Sequence, residues 1–345
     1  MLKTLMIGLT PPLEGGSERH IFEVASRMDN VVVLTQKGSL CKDKIEIYVS
    51  KMRGYMQSLT FFLSVFFNLP RIFLSKFDTV HIHENYLFLL LPLFKIKFNT
   101  VVTIHGISGF RFYENKLIWS IFRKVLKFSD KIIVVSLPEK HILEEEFKNT
   151  YYITNGVDNS VYDDIRVDVE KKITFVGRIH EQKGILYLLE AFYKIKDKRP
   201  EFRLELIGEI NDEAKEFMRK FPDKRIIWRG FILDRKELFR EIKSSYVLVY
   251  PSLWEALPWP ALLEGLGSGR PAIASDLKGM NEIFLNKENI LLVESKNSDD
   301  IYEKLLKVIE DEKFANFIGS NGKKEAKKYD WGNIVIKVNE VLSKW

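Results

Sequence analysis

The sequence predicts an α/β protein made of two doubly wound domains. Two observations carry this. Short apolar runs alternate with stretches of helical period along the whole chain, and the alternation occurs twice, either side of one polar, acidic stretch. The chain also has 345 residues, more than one hydrophobic core usually supports.

In the first half the runs LMIGL, VVVL, DTVHIH, NTVVTIH, KIIVVS and YYIT read as strands. In the second half KITFVG, FRLELIG, RIIWRG, YVLVYPS, PAIAS and ILLVES do so. Continuous Val/Ile/Leu runs separated by helical segments indicate parallel strands buried on both faces. The break falls in TNGVDNSVYDDIRVDVEKK, whose Asn155-Gly156 pair is a turn signal. The expected division is therefore residues 1–157, a linker at 158–171 and residues 172–328. A closing helical segment, 329–345, follows Tyr329-Asp330-Trp331.

Composition narrows the class. At 46% hydrophobic and 29% charged, the chain is an ordinary globular protein. The single cysteine, Cys41, excludes an intramolecular disulfide and a thiolate zinc cluster, which fits a cytoplasmic setting. MLKTLMIGLTPP reads as a first buried strand and not as a signal segment. Net charge is +6, unevenly spread: residues 1–131 carry +8 (18 Lys/Arg against 10 Asp/Glu), leaving −2 for the rest. A basic front half suits an anionic partner. No recognition helix, zinc finger or RNP-type strand marks a nucleic-acid partner.

In open α/β sheets ligands bind beyond the carboxyl ends of the strands, so the residues just after strands are the candidates. In VGRIHEQKG, Arg178 ends a strand and Lys183-Gly184 opens the next helix. A guanidinium fork, a lysine and helix N–H groups together suit a diphosphate, although two basic residues on a loop are commonplace. In EGGSERH, Gly15-Gly16 lies between the first strand and a helix, where backbone can approach a ligand; a plain turn is the equal alternative. The dinucleotide pattern G-x-G-x-x-G is absent there. His105 ends the strand NTVVTIH and can donate to a sugar or phosphate oxygen. His81 and His83 alternate on a neighbouring strand without a third ligand at metal spacing, and are expected to be structural.

WEALPWPALLEG follows the strand YVLVYPS. Pro258 or Pro260 suits a first helical position and Gly269 a helix stop, which puts Glu264 one to two turns into the helix and Glu255 in the loop before it. A carboxylate there accepts from vicinal hydroxyls; the ordinary alternative is one dipole-favoured and one surface glutamate.

In this order the motifs resemble the GT-B retaining glycosyltransferases of glycosyltransferase family 4. The matching stretches are GGSERH, DTVHIH, TIHG, VVS, NGVD, FVGRIHEQKG, LELIGE, WRGF, PSLWEALPWPALLEGLGSGRPAIASD, GMNEI, NILLVES and YDW. The resemblance implies two Rossmann-like domains facing a cleft, with a C-terminal helix crossing back to the first domain. It implies a UDP-sugar or GDP-sugar donor on the second domain, no metal or other cofactor, and a saccharide or lipid-linked acceptor on the first. Arg178 and Lys183 match the pair holding the donor diphosphate. Glu264 matches the ribose-binding glutamate, and Glu255 the glutamate near the transferred sugar. Gly15 and Gly16 match the loop near the phosphates, and His105 a histidine near the donor sugar. Gly208, Phe231 and Ile232 fall where the family frames the donor and its base. The family spacing is E-x7-E; here eight residues separate Glu255 from Glu264.

The segment SLTFFLSVFFNLPRIFLSKF, residues 58–77, is apolar except for a stripe of Thr60, Ser64, Asn68, Arg71 and Ser75. Residues 48–131 hold 12 basic and 4 acidic side chains. Apolar plus basic surface suits peripheral contact with an anionic membrane; helices packed on the sheet or in a dimer interface are the alternative. Two other functions fit a similar fold: a sugar-nucleotide epimerase, and a catalytically silent binding subunit.

Overall fold

The computed structural model describes residues 2–13, 15–52, 54–106 and 115–345. Glu14 of the EGGSERH stretch lies outside the described residues. The chain divides into two compact units, Met1–Gly156 with Trp331–Trp345, and Val157–Asp330.

The first unit is built on seven parallel strands: β1 (Thr4–Ile7), β2 (Val31–Gln36), β3 (Lys44–Ile47), β4 (Thr79–Ile82), β5 (Asn99–Ile104), β6 (Lys131–Val134) and β7 (Thr150–Tyr152). Their spatial order is β3-β2-β1-β4-β5-β6-β7. Helix α1 (Gly16–Ser26) links β1 to β2. Helices α2 (Tyr55–Phe67) and α3 (Leu69–Phe73) link β3 to β4, α4 (Leu91–Phe94) precedes β5, and α5 (Lys116–Leu126) and α6 (Leu137–Glu144) flank β6. Six of the strands are those read from the apolar runs. The seventh, β3, has only Ile47 buried and pairs on one side alone, with β2; an edge strand needs no continuous apolar run.

Within the 58–77 segment α2 and α3 part at Asn68. Pro70 sits in the first turn of α3, and Phe61, Val65 and Ile72 point into the core. Its polar stripe serves local backbone: the Thr60 hydroxyl accepts from Ser50 N at 2.9 Å, and Ser64 Oγ donates to Tyr48 O at 2.6 Å.

The second unit has six parallel strands: β8 (Lys172–Val176), β9 (Arg203–Ile207), β10 (Ile226–Gly230), β11 (Val247–Tyr250), β12 (Ala272–Ser275) and β13 (Leu291–Val293), in the order β10-β9-β8-β11-β12-β13. Its helices are α7 (Ile185–Lys198), α8 (Asp212–Lys220), α9 (Arg235–Ser244), α10 (Pro260–Gly267), α11 (Met280–Ile283), α12 (Ser298–Glu310) and α13 (Glu312–Ala326). Residues 158–171, read as a linker from their composition, lie within this unit, where Tyr162 is buried against Phe239. Lys172 is fully buried and pairs with Glu241 at 2.5 Å and with Glu205 at 3.5 Å.

The last helix, α14 (Trp331–Ser343), belongs to the first unit. Its residues Ile334, Val338 and Leu342 pack with Met6, Val33 and Val101. Both sheets reverse direction of growth once, between β1 and β4 and between β8 and β11. Those reversals are the topological switch points, where loops on the two sides diverge and leave a crevice.

Candidate active site

In the second unit the switch point gathers the loops after β8 and β11. They touch through backbone: a Cβ on Gly184 would lie 1.9 Å from Pro251 O, and Gly184 has a left-handed φ of 65°. Likewise a Cβ on Gly208, after β9, would lie 1.9 Å from Gly177 O. Gly208 therefore acts by letting two strand-end loops close on each other. Lys183 ends a short 3-10 turn, Glu181–Lys183, directly before α7. No side chain caps α7, so its N-terminus remains an anion-favouring end.

Lys183 Nζ pairs with Glu255 Oε1, and Ser252 Oγ donates to the same oxygen at 2.9 Å. The longer loop thus does not carry Glu255 away from the site. It sets the carboxylate on the lysine, with Lys183 14% and Glu255 9% exposed. Arg178 is exposed, and its guanidinium lies 3.4 Å from Gln182 Oε1. Gln182 in turn donates to Trp254 O at 3.0 Å and accepts from Leu253 N at 2.7 Å. Ser252 and Gln182 escaped the sequence reading, because hydroxyls and amides in loops carry no positional signal.

Glu264 lies on α10 as expected. Pro260 takes the first helical position, and Gly269, at φ 80°, follows the Ser268 cap. The carboxylate is nearly buried and accepts from Arg235 Nη2 at 2.5 Å. Tyr162 and Tyr250 hydroxyls are buried without a hydrogen-bond partner. Burial, then the Glu264 charge, holds both phenols above their ordinary pKa. Phe231 and Ile232 follow β10 on the loop that leads to Arg235; Phe231 is exposed and Ile232 half-buried. Arg235 also escaped the sequence reading, although a legible signal existed. A cation at the first position of a helix opposes the dipole, which calls for a partner.

In the first unit Gly15 caps α1 and Gly16 begins it. A Cβ on Gly16 would meet nothing within 4 Å, so the space beside it is open. His105 follows β5 and joins His20, His81 and His83 in a packed imidazole cluster. Rings of His83 and His105 stack at 5.3 Å with Nδ1 and Nε2 3.0 Å apart. His81 Nε2 lies 2.7 Å from Thr103 Oγ1. His20 Nδ1 lies 3.0 Å from Asn155 Oδ1. Burial holds all four neutral, His20 at about 4, His81 at about 3, and His83 and His105 well below the usual value. Nδ1 of His105 is buried without a hydrogen-bond partner. Glu84, after β4, accepts from Leu9 N at 3.3 Å and is raised to about 7 by burial and then by Glu18. Among the described residues no group of three His, Cys, Asp or Glu side chains is arranged to hold a metal ion.

A pair of doubly wound sheets with a basic, helix-terminated crevice at the second switch point is the architecture of GT-B glycosyltransferases. The comparisons with known proteins agree. The family described as Glycosyltransferase Family 4 matches residues 14–161, and that described as Glycosyl transferases group 1 matches residues 164–325. An uncharacterised glycosyltransferase of Methanocaldococcus jannaschii is 31% identical over 252 residues, covering 72% of this chain and 69% of the relative. An Escherichia coli UDP-Gal:alpha-D-GlcNAc-diphosphoundecaprenol alpha-1,3-galactosyltransferase is 27% identical over 297 residues, 77% of this chain and 74% of that enzyme. Among solved structures, Anabaena HepE in complex with UDP superimposes with a TM-score of 0.81 at 17% identity, over 99% of this chain and 100% of that one. Sucrose-phosphate synthase from Thermosynechococcus elongatus also gives 0.81 at 17% identity, over 99% and 98%. The chain belongs to the family 4 glycosyltransferases and has the GT-B fold.

Proposed function

We propose that this glycosyltransferase moves a sugar from a nucleoside-diphosphate donor to an acceptor hydroxyl, with retention at the anomeric carbon. The observation that carries the reading is the meeting of Lys183, Glu255 and Ser252 at the uncapped start of α7, beside Arg178. Negative charge leaves with the diphosphate as the anomeric C–O bond breaks. Arg178, Lys183 and the N–H groups of α7 are the groups to receive it, without a metal. The acceptor oxygen bonds to the anomeric carbon on the same face, and its proton passes to the departing phosphate oxygen. Glu264 accepts the ribose hydroxyls, and Phe231 and Ile232 flank the base. Glu255 exchanges Lys183 for the transferred sugar's hydroxyls, and His105 donates or accepts as a neutral imidazole.

For the acceptor, the reading is a lipid-linked saccharide at the cytoplasmic face of a membrane. The name of the E. coli relative points to a diphosphoundecaprenol-linked acceptor for that enzyme. In this chain Leu63, Phe66 and Phe67 of α2, and Leu117, Ile118 and Ile121 of α5, are exposed on the first unit near Lys116, Lys124 and Lys127. Both helices pack on the turn Asn85–Leu90. Among the described residues no helix is long and apolar enough to cross a membrane, so contact would be at the surface.

The direct test screens UDP- and GDP-sugars for nucleotide release with lipid extracts, in chelator. Sugar transfer with retained configuration is expected. Isomerised sugar nucleotide would replace the reading with an epimerase, and donor binding without turnover with a silent subunit. Flotation with phosphatidylglycerol vesicles tests the surface, using Phe66→Ser with Phe67→Ser. Phe61 is buried and unsuited to that test. Unchanged flotation of the double variant would remove the membrane from the account.

A further inference from the structure

Arg235 stands where a cation is unfavourable, at the first residue of α9, and the chain places it there against a nearly buried carboxylate. Its Nη2 donates to Glu264 Oε1 at 2.5 Å, while the guanidinium carbon lies 4.7 Å from the centre of the Phe239 ring. Phe239 is itself fixed in the core by Tyr162, ring centres 5.0 Å apart. The guanidinium is thus held from two sides, by a carboxylate and by an aromatic face. Among the described residues no other side chain donates to Glu264, and the buried hydroxyls of Tyr162 and Tyr250 remain unpartnered. Arg235 is therefore the group that orients this carboxylate.

Resting on the reading of Glu264 as the ribose acceptor, we infer that Arg235 is a positioning and specificity residue for the donor nucleotide. By occupying Oε1 it fixes the side-chain torsion of Glu264 and leaves Oε2 for the ribose hydroxyls. A free glutamate would have to be ordered by the nucleotide at the expense of binding; a glutamate already clamped is preorganised. The arginine side chain is 47% exposed, so it lies at the surface of the site and not in the core. Phe231 and Ile232 on the same loop bring the base beside it. Arg235 thus acts through Glu264 and discriminates a ribose from a deoxyribose.

Calorimetric titration with UDP and GDP, and with their 2′-deoxy counterparts, tests this on the full chain. Wild type is expected to prefer the ribonucleotide. Arg235→Gln should weaken ribonucleotide binding roughly tenfold, a typical loss for one charge-assisted bond, and leave the deoxynucleotide nearly unchanged. Arg235→Lys should restore part of the preference. In turnover the Gln variant should raise KM for the donor with little change in kcat. A thermal melt checks that the half-exposed substitution leaves the fold intact. Equal weakening of both nucleotides, or an undiminished ribose preference, overturns the role of Arg235. Wild type binding neither nucleotide, or Glu264→Gln keeping the full ribose preference, overturns instead the reading of the site on which this rests.

Discussion

Lys183 and Glu255 show how charge is stored at a crevice before a ligand arrives. Each neutralises the other, so the site holds two nearly buried charges without isolating either. A diphosphate would compete for the lysine. Lys183→Ala should then weaken binding of the donor nucleotide by tenfold or more, about 1.4 kcal/mol or above, while the fold survives. Glu264→Ala should do the same through the ribose. Titration of nucleotide into each variant measures both, and unchanged affinity in the two would end the donor-site assignment. Glu255→Gln separates roles: the lysine is released toward phosphate, so binding holds or tightens while turnover falls. At this scale the sequence exposed the basic residues and both glutamates, because each follows a strand and borders a helix start. It did not expose the pairing, since Lys183 and Glu255 are 72 residues apart and Arg235 and Glu264 29 apart. Contacts at such separations depend on how the strands are ordered in the sheet.

Turns between elements place these side chains, and glycine decides how closely they meet. Gly184→Ala would drive a methyl into Pro251 O and force a left-handed residue at φ 65°. The expected cost exceeds 1 kcal/mol, seen as a lowered melting midpoint, and donor binding should fall because the two loops must part. Gly16→Ala is the opposite case. Its methyl meets nothing and the position is helical, so stability should hold or rise by up to about 1 kcal/mol. If ligand backs onto that glycine, turnover should drop without loss of stability; full activity in Gly16→Ala would show that nothing approaches there. The strand, cap and stop signals around α10 were legible because Pro260 and Gly269 each suit one backbone state. The edge strand β3 was not, because KIEI alternates charge with aliphatic residues and resembles a surface loop.

Across the whole molecule the doubly wound pattern was the most legible feature, since parallel strands buried on both faces leave long aliphatic runs. The imidazole cluster was the least legible, because His20 reaches His83 and His105 from a helix more than 60 residues away in sequence. That cluster makes stability depend on pH. Well above pH 6.5 the histidines are neutral both folded and unfolded. As pH falls through 6.5 the unfolded histidines take up protons. Folded His20 does so only near 4 and folded His81 only near 3, with His83 and His105 also depressed. The unfolded state therefore binds more protons, and each group removes stability at up to about 1.4 kcal/mol per pH unit. Glu84 acts in the other direction. Burial holds it near 7 in the folded state, against an ordinary 4.5, so its protonation favours the folded state as pH falls from 7 toward 4.5. One carboxyl opposes four imidazoles. The expected curve is nearly flat from pH 8 to 7, begins to fall by 6.5 and falls steeply between 6 and 5, a window set by these shifts. Glu84→Gln should remove the opposing contribution, raising stability at pH 8 and steepening the fall below 6.5. Urea midpoints taken at half-unit intervals measure both curves. A wild-type midpoint that stays level from pH 6.5 to 5 would mean that the folded cluster accepts protons, contrary to a neutral core of imidazoles.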